Sequence, residues 1–394
     1  SILRYFNDSF ESILDSNSKI YSINSSNNKI KLKSASQNII DDAFLETLKN
    51  KDIPTGDMNF SDKESCGPIL NTVTKYFRTS VLSLVNKKLF KVLVGEKVEK
   101  ILFNKNGRAI GVETNSSSFD ADYIILAGGV IGTNKILLEI KQNYDGNQSP
   151  LSNINIGHGV KDHTNLRVNV ITNKNIGSLN EISNSFFKKL FLIFKYLIGK
   201  PSLMTGTGAT SAAHLDLNND GKIDTRIQIV QFTETGRHGS DGNFFSNRPG
   251  FSISITPINP KSNGEITLSG GLQTVNPKYL SSKDDMELLK LALQYCLKLL
   301  SSKPISNHIL EIMDKDIMEN NPEEYIINNI FSGHHLIGGA FDAIDSNFKL
   351  HNIEGFYVCD ASIFEKYAAS NIHSSVVLIA DIFSKKFINN NSDS

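Results

Sequence analysis

The residues best suited to acid–base chemistry lie in two short stretches near the end of the chain. The first is FSGHHLIGGAFD, Phe331 to Asp342, in which His335 is followed by Leu336, Ile337 and the pair Gly338-Gly339. An imidazole between apolar residues and a glycine turn can sit beside a ligand as a proton acceptor, with a pKa near working pH. A hydrogen-bonded, half-buried histidine is the plainer alternative. The second is GFYVCDASIFEKYAASNIHSS, Gly355 to Ser375, where an apolar run stops at Asp360. Its small-residue loop delivers Asn371 and His373 just ahead of the helical-looking VVLIADIFSKKF. If the two loops meet, one supplies a base and the other an amide to the same substrate oxygen. His334 and His373 are supporting or alternative candidates.

Three further stretches carry possible sites. LAGGVIG, Leu126 to Gly132, is a glycine turn opening a helix, where the backbone at Gly128 and Gly129 could approach a phosphate. Ala127 stands where a G-x-G-x-x-G fingerprint has its first glycine, so a tight strand-to-helix crossover is the competing reading. DLNNDGKID spaces Asp216, Asn218, Asp220 and Asp224 like a calcium loop, yet Ile227 occupies the position of the closing glutamate. A solvated hairpin turn explains that stretch equally well. FFKKLFLIFKYLIGK, Phe186 to Lys200, is too short to span a bilayer and reads as a lid or core helix, or as a surface element for a membrane interface or greasy substrate.

These loops need a scaffold, and 394 residues suffice for a large core and about two domains. Formal net charge is zero, so no global field points to nucleic acid or an anionic surface. Cys66, Cys296 and Cys359 are scattered and form no C-x-x-C pair, which disfavours a disulfide framework and fits a reducing compartment such as the cytoplasm. No apolar run of about 18 residues predicts a transmembrane helix.

Secondary-structure periods divide the chain. KIKLKS suggests an exposed strand, and IIDDAFLETLKNKDIP and TVTKYFRTSVLSLVNK read as helices. LFKVLVGEKVEKILF, AIGVET and FDADYIILAGG read as strands, with a hairpin signal at Asn106-Gly107 and a helix after the glycine turn. NLRVNVIT, ATSAAHLDL, RIQIVQFTE, GFSISITPI and GEITLSG alternate apolar and polar residues, as in an antiparallel sheet with one covered face. SSKDDMELLKLALQYCLKLLSS is a helix with Ser282 as its N-cap and Leu289, Leu293, Leu297 and Leu300 along one side. The fold class expected is α/β plus α+β: a discontinuous Rossmann-like nucleotide-binding domain with an inserted antiparallel-sheet substrate domain. The expected segments are a variable 1–45, a nucleotide-binding part at 46–148, a substrate-binding cap at 149–330, a return with the catalytic loops at 331–388, and a disordered tail at 389–394.

From about Phe44 to Phe387 the chain resembles the glucose-methanol-choline (GMC) flavin oxidoreductases. The likeness rests on motifs in order. They include VLVGEKVEKILFNKNGRAIGVE, ADYIILAGGVIGTNKILL, IGHGVKDH, PINPKSNGEITLSGG, HHLIGG, FYVCDASIF and SNIHSSVVLIA. The resemblance implies FAD as cofactor and oxidation of an alcohol at a CH–OH carbon. His335 would take the hydroxyl proton while hydride leaves for flavin N5, and Asn371 would orient the forming alkoxide. Asp360 and Ala361 would lie along the flavin's ribityl-diphosphate, with Ile372 beside them, and the Val98 backbone would meet the adenine. The family's N-terminal G-x-G-x-x-G strand has no counterpart in the sequence. The resemblance therefore implies a C-terminal portion of a longer, FAD-binding chain. Partners so implied are a small-molecule alcohol and an electron acceptor, whether oxygen, a quinone or a carrier protein. The rival readings are a flavin-containing lyase on the same fold and a non-catalytic remnant or binding module stabilised by calcium.

Overall fold

A computed structural model describes residues 32–56, 58, 63–72, 86–144, 149–200, 202–234, 245–367 and 371–391. In chain order the elements begin with β1 (Leu32–Ser34), α1 (Ile39–Lys49), β2 (Ser65–Pro68) and β3 (Leu70–Thr72). There follow β4 (Val98–Phe103), β5 (Ala109–Thr114), β6 (Ser118–Asp120), β7 (Ile124–Leu126), α2 (Gly129–Asn143), β8 (His158–Val160) and β9 (Thr164–Thr172). Next come α3 (Leu179–Ser183), α4 (Phe186–Leu197), β10 (Ala209–Leu215), β11 (Thr225–Val230), β12 (Gly250–Pro257), β13 (Gly264–Ser269) and β14 (Leu272–Asn276). The chain closes with α5 (Lys283–Leu300), β15 (Ile309–Ile312), α6 (Lys315–Asn320), α7 (Pro322–Asn329), β16 (Phe331–Ser332), β17 (Phe356–Val358) and α8 (His373–Asn391).

The largest sheet runs β15-β9-β12-β11-β10-β2, with β16 beside β9, and every pairing in it is antiparallel. Its strands alternate as the sequence suggests. Leu166, Val168 and Val170 of β9, Ile227 and Ile229 of β11, and Phe251, Ile253 and Ile255 of β12 face one core. Phe44 and Leu48 of α1 and Leu289, Leu293 and Leu297 of α5 cover that face. Since successive side chains point to opposite sides, Asn165, Arg167, Arg226, Gln228 and Thr256 must line the other face. That polar face is the wall of the site described below. The Asp285 carboxylate, in the first turn of α5, accepts the Ser262 hydroxyl at 2.5 Å and the Lys261 and Ser262 N–H groups at 2.7 and 2.8 Å. Ser282 makes no side-chain cap bond.

The second core is built on the parallel pair β7–β17, the crossover helix α2 and α8, with Leu126, Leu137, Phe356, Val358 and Phe383 among its residues. The β4-β5-β6 meander turns through Asn104–Gly107 at the expected hairpin, Gly107 having φ +77°. Val160, Ile266 and Leu268, from the small β14-β13-β8 sheet, pack into this core and not beneath the large sheet.

Several local expectations change. The strand expected over LFKVLVGEKVEKILF begins only at Val98, because no described strand runs beside residues 90–95 to pair their backbone. The tail expected from residue 389 is helical through Asn391. Most of the helix expected in TVTKYFRTSVLSLVNK falls outside the described residues, whereas Leu70–Thr72 just ahead pair with β1 as a strand. Within Phe186–Lys200 the helix expected forms over Phe186–Leu197, but none of the α4 residues is buried, so it is not a core helix.

Candidate active site

The His335 loop is fixed by the turn that precedes β9. The Asp162 Oδ1 accepts the His335 N–H at 2.8 Å, and its Oδ2 accepts the hydroxyls of Tyr279 and Ser332, each at 2.5 Å. The Tyr367 hydroxyl donates to the His335 carbonyl at 3.0 Å. His335 is thereby held on both sides of its peptide. The adjoining glycines are required by close approach. A Cβ on Gly338 (φ +91°) would lie 2.4 Å from the Gly159 carbonyl, and one on Gly339 (φ +93°) 2.5 Å from the Asn134 amide. The Gly338 and Ala340 N–H groups donate to the carbonyls of Ala361 and Ser362, which ties this loop to the one that follows β17.

The imidazole pair at its centre has a defined proton arrangement. His163 is buried and stacks on the Tyr367 ring with centroids 3.9 Å apart. Its Nε2 lies 2.8 Å from the Ile258 carbonyl, which can only accept, so Nε2 carries the proton. The Nδ1 of neutral His163 is then a lone pair, and it faces His335 Nδ1 at 3.0 Å. His335 must therefore donate from Nδ1, which leaves its Nε2 unprotonated. Burial, reinforced by the neighbouring His335, pushes His163 down to about 3 and keeps it neutral. Burial also lowers the pKa of His335, opposed by the Asp162 carboxylate and helped by Arg226 and His334.

His335 and Asn371 line one cavity of about 310 Å³, together with His163, Arg226, Gln228 and Thr256. Arg226 Nη1 donates to Asn371 Oδ1 at 2.8 Å, so the carboxamide oxygen is occupied and its NH2 is the end left to donate. Burial pulls Arg226 down to about 10, still cationic at neutral pH. His334 is exposed with φ +58°, His373 is exposed at the start of α8, and neither lines the cavity.

The nucleotide-side residues are arranged differently from the cavity pair. Asp360 is buried, and its carboxylate accepts the Gly129 N–H at 2.9 Å, the Thr133 hydroxyl at 2.5 Å and the Ser362 N–H at 2.8 Å. Asp360 thus holds the α2 crossover and caps the first helical N–H with protein instead of leaving it for a phosphate. A Cβ on Gly128 would meet the Thr133 backbone N at 3.3 Å, which makes that glycine a packing requirement of the crossover. Ala361 is buried beside Asp360, Val98 pairs with Thr114 at the start of β4, and Ile372 is half-buried against the second core.

The DLNNDGKID stretch is a self-bonded turn. Asp216 accepts the Asp220 and Gly221 N–H groups, and Asp224 those of Leu217 and Asn218. Among the described residues no group of three or more His, Cys, Asp or Glu is placed to hold a metal ion.

His163, Asp162, Tyr367 and Arg226 are the residues that sequence reasoning did not single out. The signals were faint: an Asp-His pair just before an alternating strand, and an arginine on the polar side of RIQIV.

A sequence model of the GMC oxidoreductase family matches residues 260–380. That stretch carries the family's C-terminal domain. The chain is 22% identical over 339 residues to a glucose dehydrogenase [FAD, quinone] of Drosophila pseudoobscura pseudoobscura, covering 74% of this chain and 52% of that protein. It is 24% identical over 365 residues to an oxygen-dependent choline dehydrogenase of Brucella anthropi, covering 83% and 64% respectively. The chain therefore spans between about half and two thirds of the length of these relatives. In fold it is similar to pyridoxine 4-oxidase from Mesorbium loti (TM-score 0.74, 16% identity, 92% of this chain and 72% of that one). It is also similar to a formate oxidase (TM-score 0.80, 14% identity, 93% and 73%).

FAD is the cofactor of GMC oxidoreductases, and the described residues fit a flavin in the part they cover. Among the described residues β7 is paired on one side only, by β17, and Ala127 and Gly128 are exposed at its carboxyl end. Ligands of open parallel sheets bind at that end. Ile125 and Ile131, 44% and 46% exposed, offer apolar surface beside it. The exposed Ala127–Gly128 backbone would hold the cofactor, with Asp360 fixing the crossover.

Proposed function

We propose that this chain carries the substrate-binding and proton-accepting half of an FAD-dependent alcohol oxidation at a CH–OH carbon. FAD, when bound, supplies the acceptor for the hydride. The chain's own residues deal with the hydroxyl. His335 Nε2 accepts its proton, and the Nδ1–H bond to His163 keeps the imidazole in the tautomer that can do so. The Asn371 NH2, oriented by Arg226 at its oxygen, donates to the oxygen as negative charge develops, and the Arg226 cation favours that charge. Asp162 and Tyr367 hold the base in place. Among the lining residues, Asn71, Asn165, Gln228 and Thr256 are polar and none is acidic, which suits a small, oxygen-rich alcohol. On this reading the alcohol would become a carbonyl, its hydroxyl proton held on His335 and its hydride taken up by the bound FAD.

The observation that carries this reading is the 3.0 Å Nδ1–Nδ1 contact of His335 with His163, on a cavity that His335 shares with Asn371. Rapid-mixing measurement of flavin reduction by an alcohol in the FAD-loaded protein tests it. His335→Ala should slow reduction by about 10²–10⁴-fold. Reduction within about tenfold of the unaltered protein would remove His335 as the base. Failure of any alcohol to bleach the flavin would favour a lyase.

A further inference from the structure

Helix α4, Phe186–Leu197, is folded with its polar and apolar faces reversed. Phe187, Leu190, Phe191, Phe194, Leu197 and Ile198 fall within about 120° of arc at 100° per residue, and they face solvent. Phe187 is 81% exposed and Leu197 63%. The opposite side, turned toward the protein, holds Lys188, Lys195 and Tyr196 with the single aliphatic Leu192, all half-buried. Lys188 reaches the buried Glu181 of α3 at 3.3 Å, and the Ser185 hydroxyl accepts the Lys188 N–H. An amphipathic helix packed on its own protein presents the other face. The ordering of α4 therefore leaves its apolar stripe for an outside surface.

Charge selects the occupant. Residues 185–200 contain four lysines and no Asp or Glu, within a chain whose net charge is zero. A second copy docked through the same face would bring this cationic segment against another, which opposes self-association. An anionic lipid surface complements both the stripe and the lysines. At 1.5 Å per residue the helix is about 18 Å long, shorter than a hydrocarbon core of about 30 Å, so it can lie in the interface but not cross it. No described helix is long and apolar enough to cross a membrane.

We propose that α4 is an interfacial anchor that docks the protein on anionic lipid bilayers, its phenylalanines entering the headgroup boundary and the exposed Lys189 and Lys200 meeting lipid phosphates. From α4 the chain passes through the Leu203–Thr205 turn to Thr207 and Ala209 on the cavity wall, so docking holds the cavity beside the bilayer.

Flotation of the full chain with phosphatidylcholine vesicles, with and without phosphatidylglycerol, tests the proposal. Binding is expected to the mixed vesicles and to weaken as salt rises. Phe187→Ser with Phe191→Ser should lower the partition coefficient at least about tenfold. Lys189→Glu with Lys200→Glu should lower it about fivefold or more for each charge. Because these residues are exposed, the melting temperature of either variant should stay within about 2 °C of the parent. The chain has no Trp, so Phe187→Trp introduces a single indole whose emission should shift to the blue on mixed vesicles. No flotation and no blue shift would overturn the proposal. So would a concentration-dependent dimer, seen by light scattering and abolished by Phe187→Ser with Phe191→Ser, since a second copy would then be the occupant.

Discussion

Replacing His163 by Gln tests the proton arrangement on which the site depends, and it needs neither cofactor nor substrate. His163 is 3% exposed, and burial beside His335 and Arg226 takes its pKa from the usual 6.5 to about 3. Because the folded value lies below the unfolded one, the unfolded chain binds more protons below pH 6.5, and stability falls as pH drops through that window toward 3. Between pH 7 and pH 5 the loss from this one group is RT ln(1 + 10^1.5) less a small residue at pH 7, or about 2 kcal/mol. His335, also lowered, adds to the loss in the same direction in both proteins. Gln keeps an N–H donor for the Ile258 carbonyl and has no proton to gain. The variant should be less stable at pH 7 by about 1–3 kcal/mol through lost stacking on Tyr367. Its further loss on going to pH 5 should be smaller than that of the parent by about 2 kcal/mol. Urea unfolding midpoints and slopes at the two pH values measure this directly. Equal losses in the two proteins, within about 0.5 kcal/mol, would refute a neutral buried His163 and with it the assignment of a free Nε2 to His335.

Other outcomes follow from the same geometry. Gly339→Ala must place a methyl against the Asn134 amide at φ +93° and should cost about 2–4 kcal/mol by chemical denaturation. Asp360→Asn turns an NH2 toward either the Gly129 N–H or the Ser362 N–H, and should destabilise by about 2–3 kcal/mol. In the FAD-loaded protein, kcat/KM for an alcohol should fall on the acid side with an apparent pKa below 6.5, because burial lowers the pKa of His335 and only the neutral ring accepts a proton. A limb at or above 6.5 would remove His335 as the titrating base.

Much of the frame was legible along the chain because it depends on local period and turn chemistry. The alternation in NLRVNVIT, RIQIVQFTE and GFSISITPI marks β9, β11 and β12 and predicts which residues leave the core, and the Asn106-Gly107 hairpin and the run of leucines in α5 are equally local signals. Where the pairing partner lay elsewhere, local reading was less reliable. Residues 90–95 carry strand-like residues but pair with no described strand, and α4 has helical spacing but turns its apolar face outward.

The sequence by itself determined that His335 and Asn371 stand on glycine- and small-residue loops next to regular elements, and that a polar face would alternate with the core along β9, β11 and β12. Only tertiary structure decided what those residues do. His163 meets His335 across 172 positions, Arg226 meets Asn371 across 145, and Asp360 caps Gly129 across 231. A periodic pattern fixes which side of a strand a residue faces, whereas the partner it meets depends on how sheets and loops from distant segments pack. The tautomer that frees His335 Nε2 is set by a carbonyl at Ile258, a contact that exists only once the large sheet and the loop before β9 are folded together.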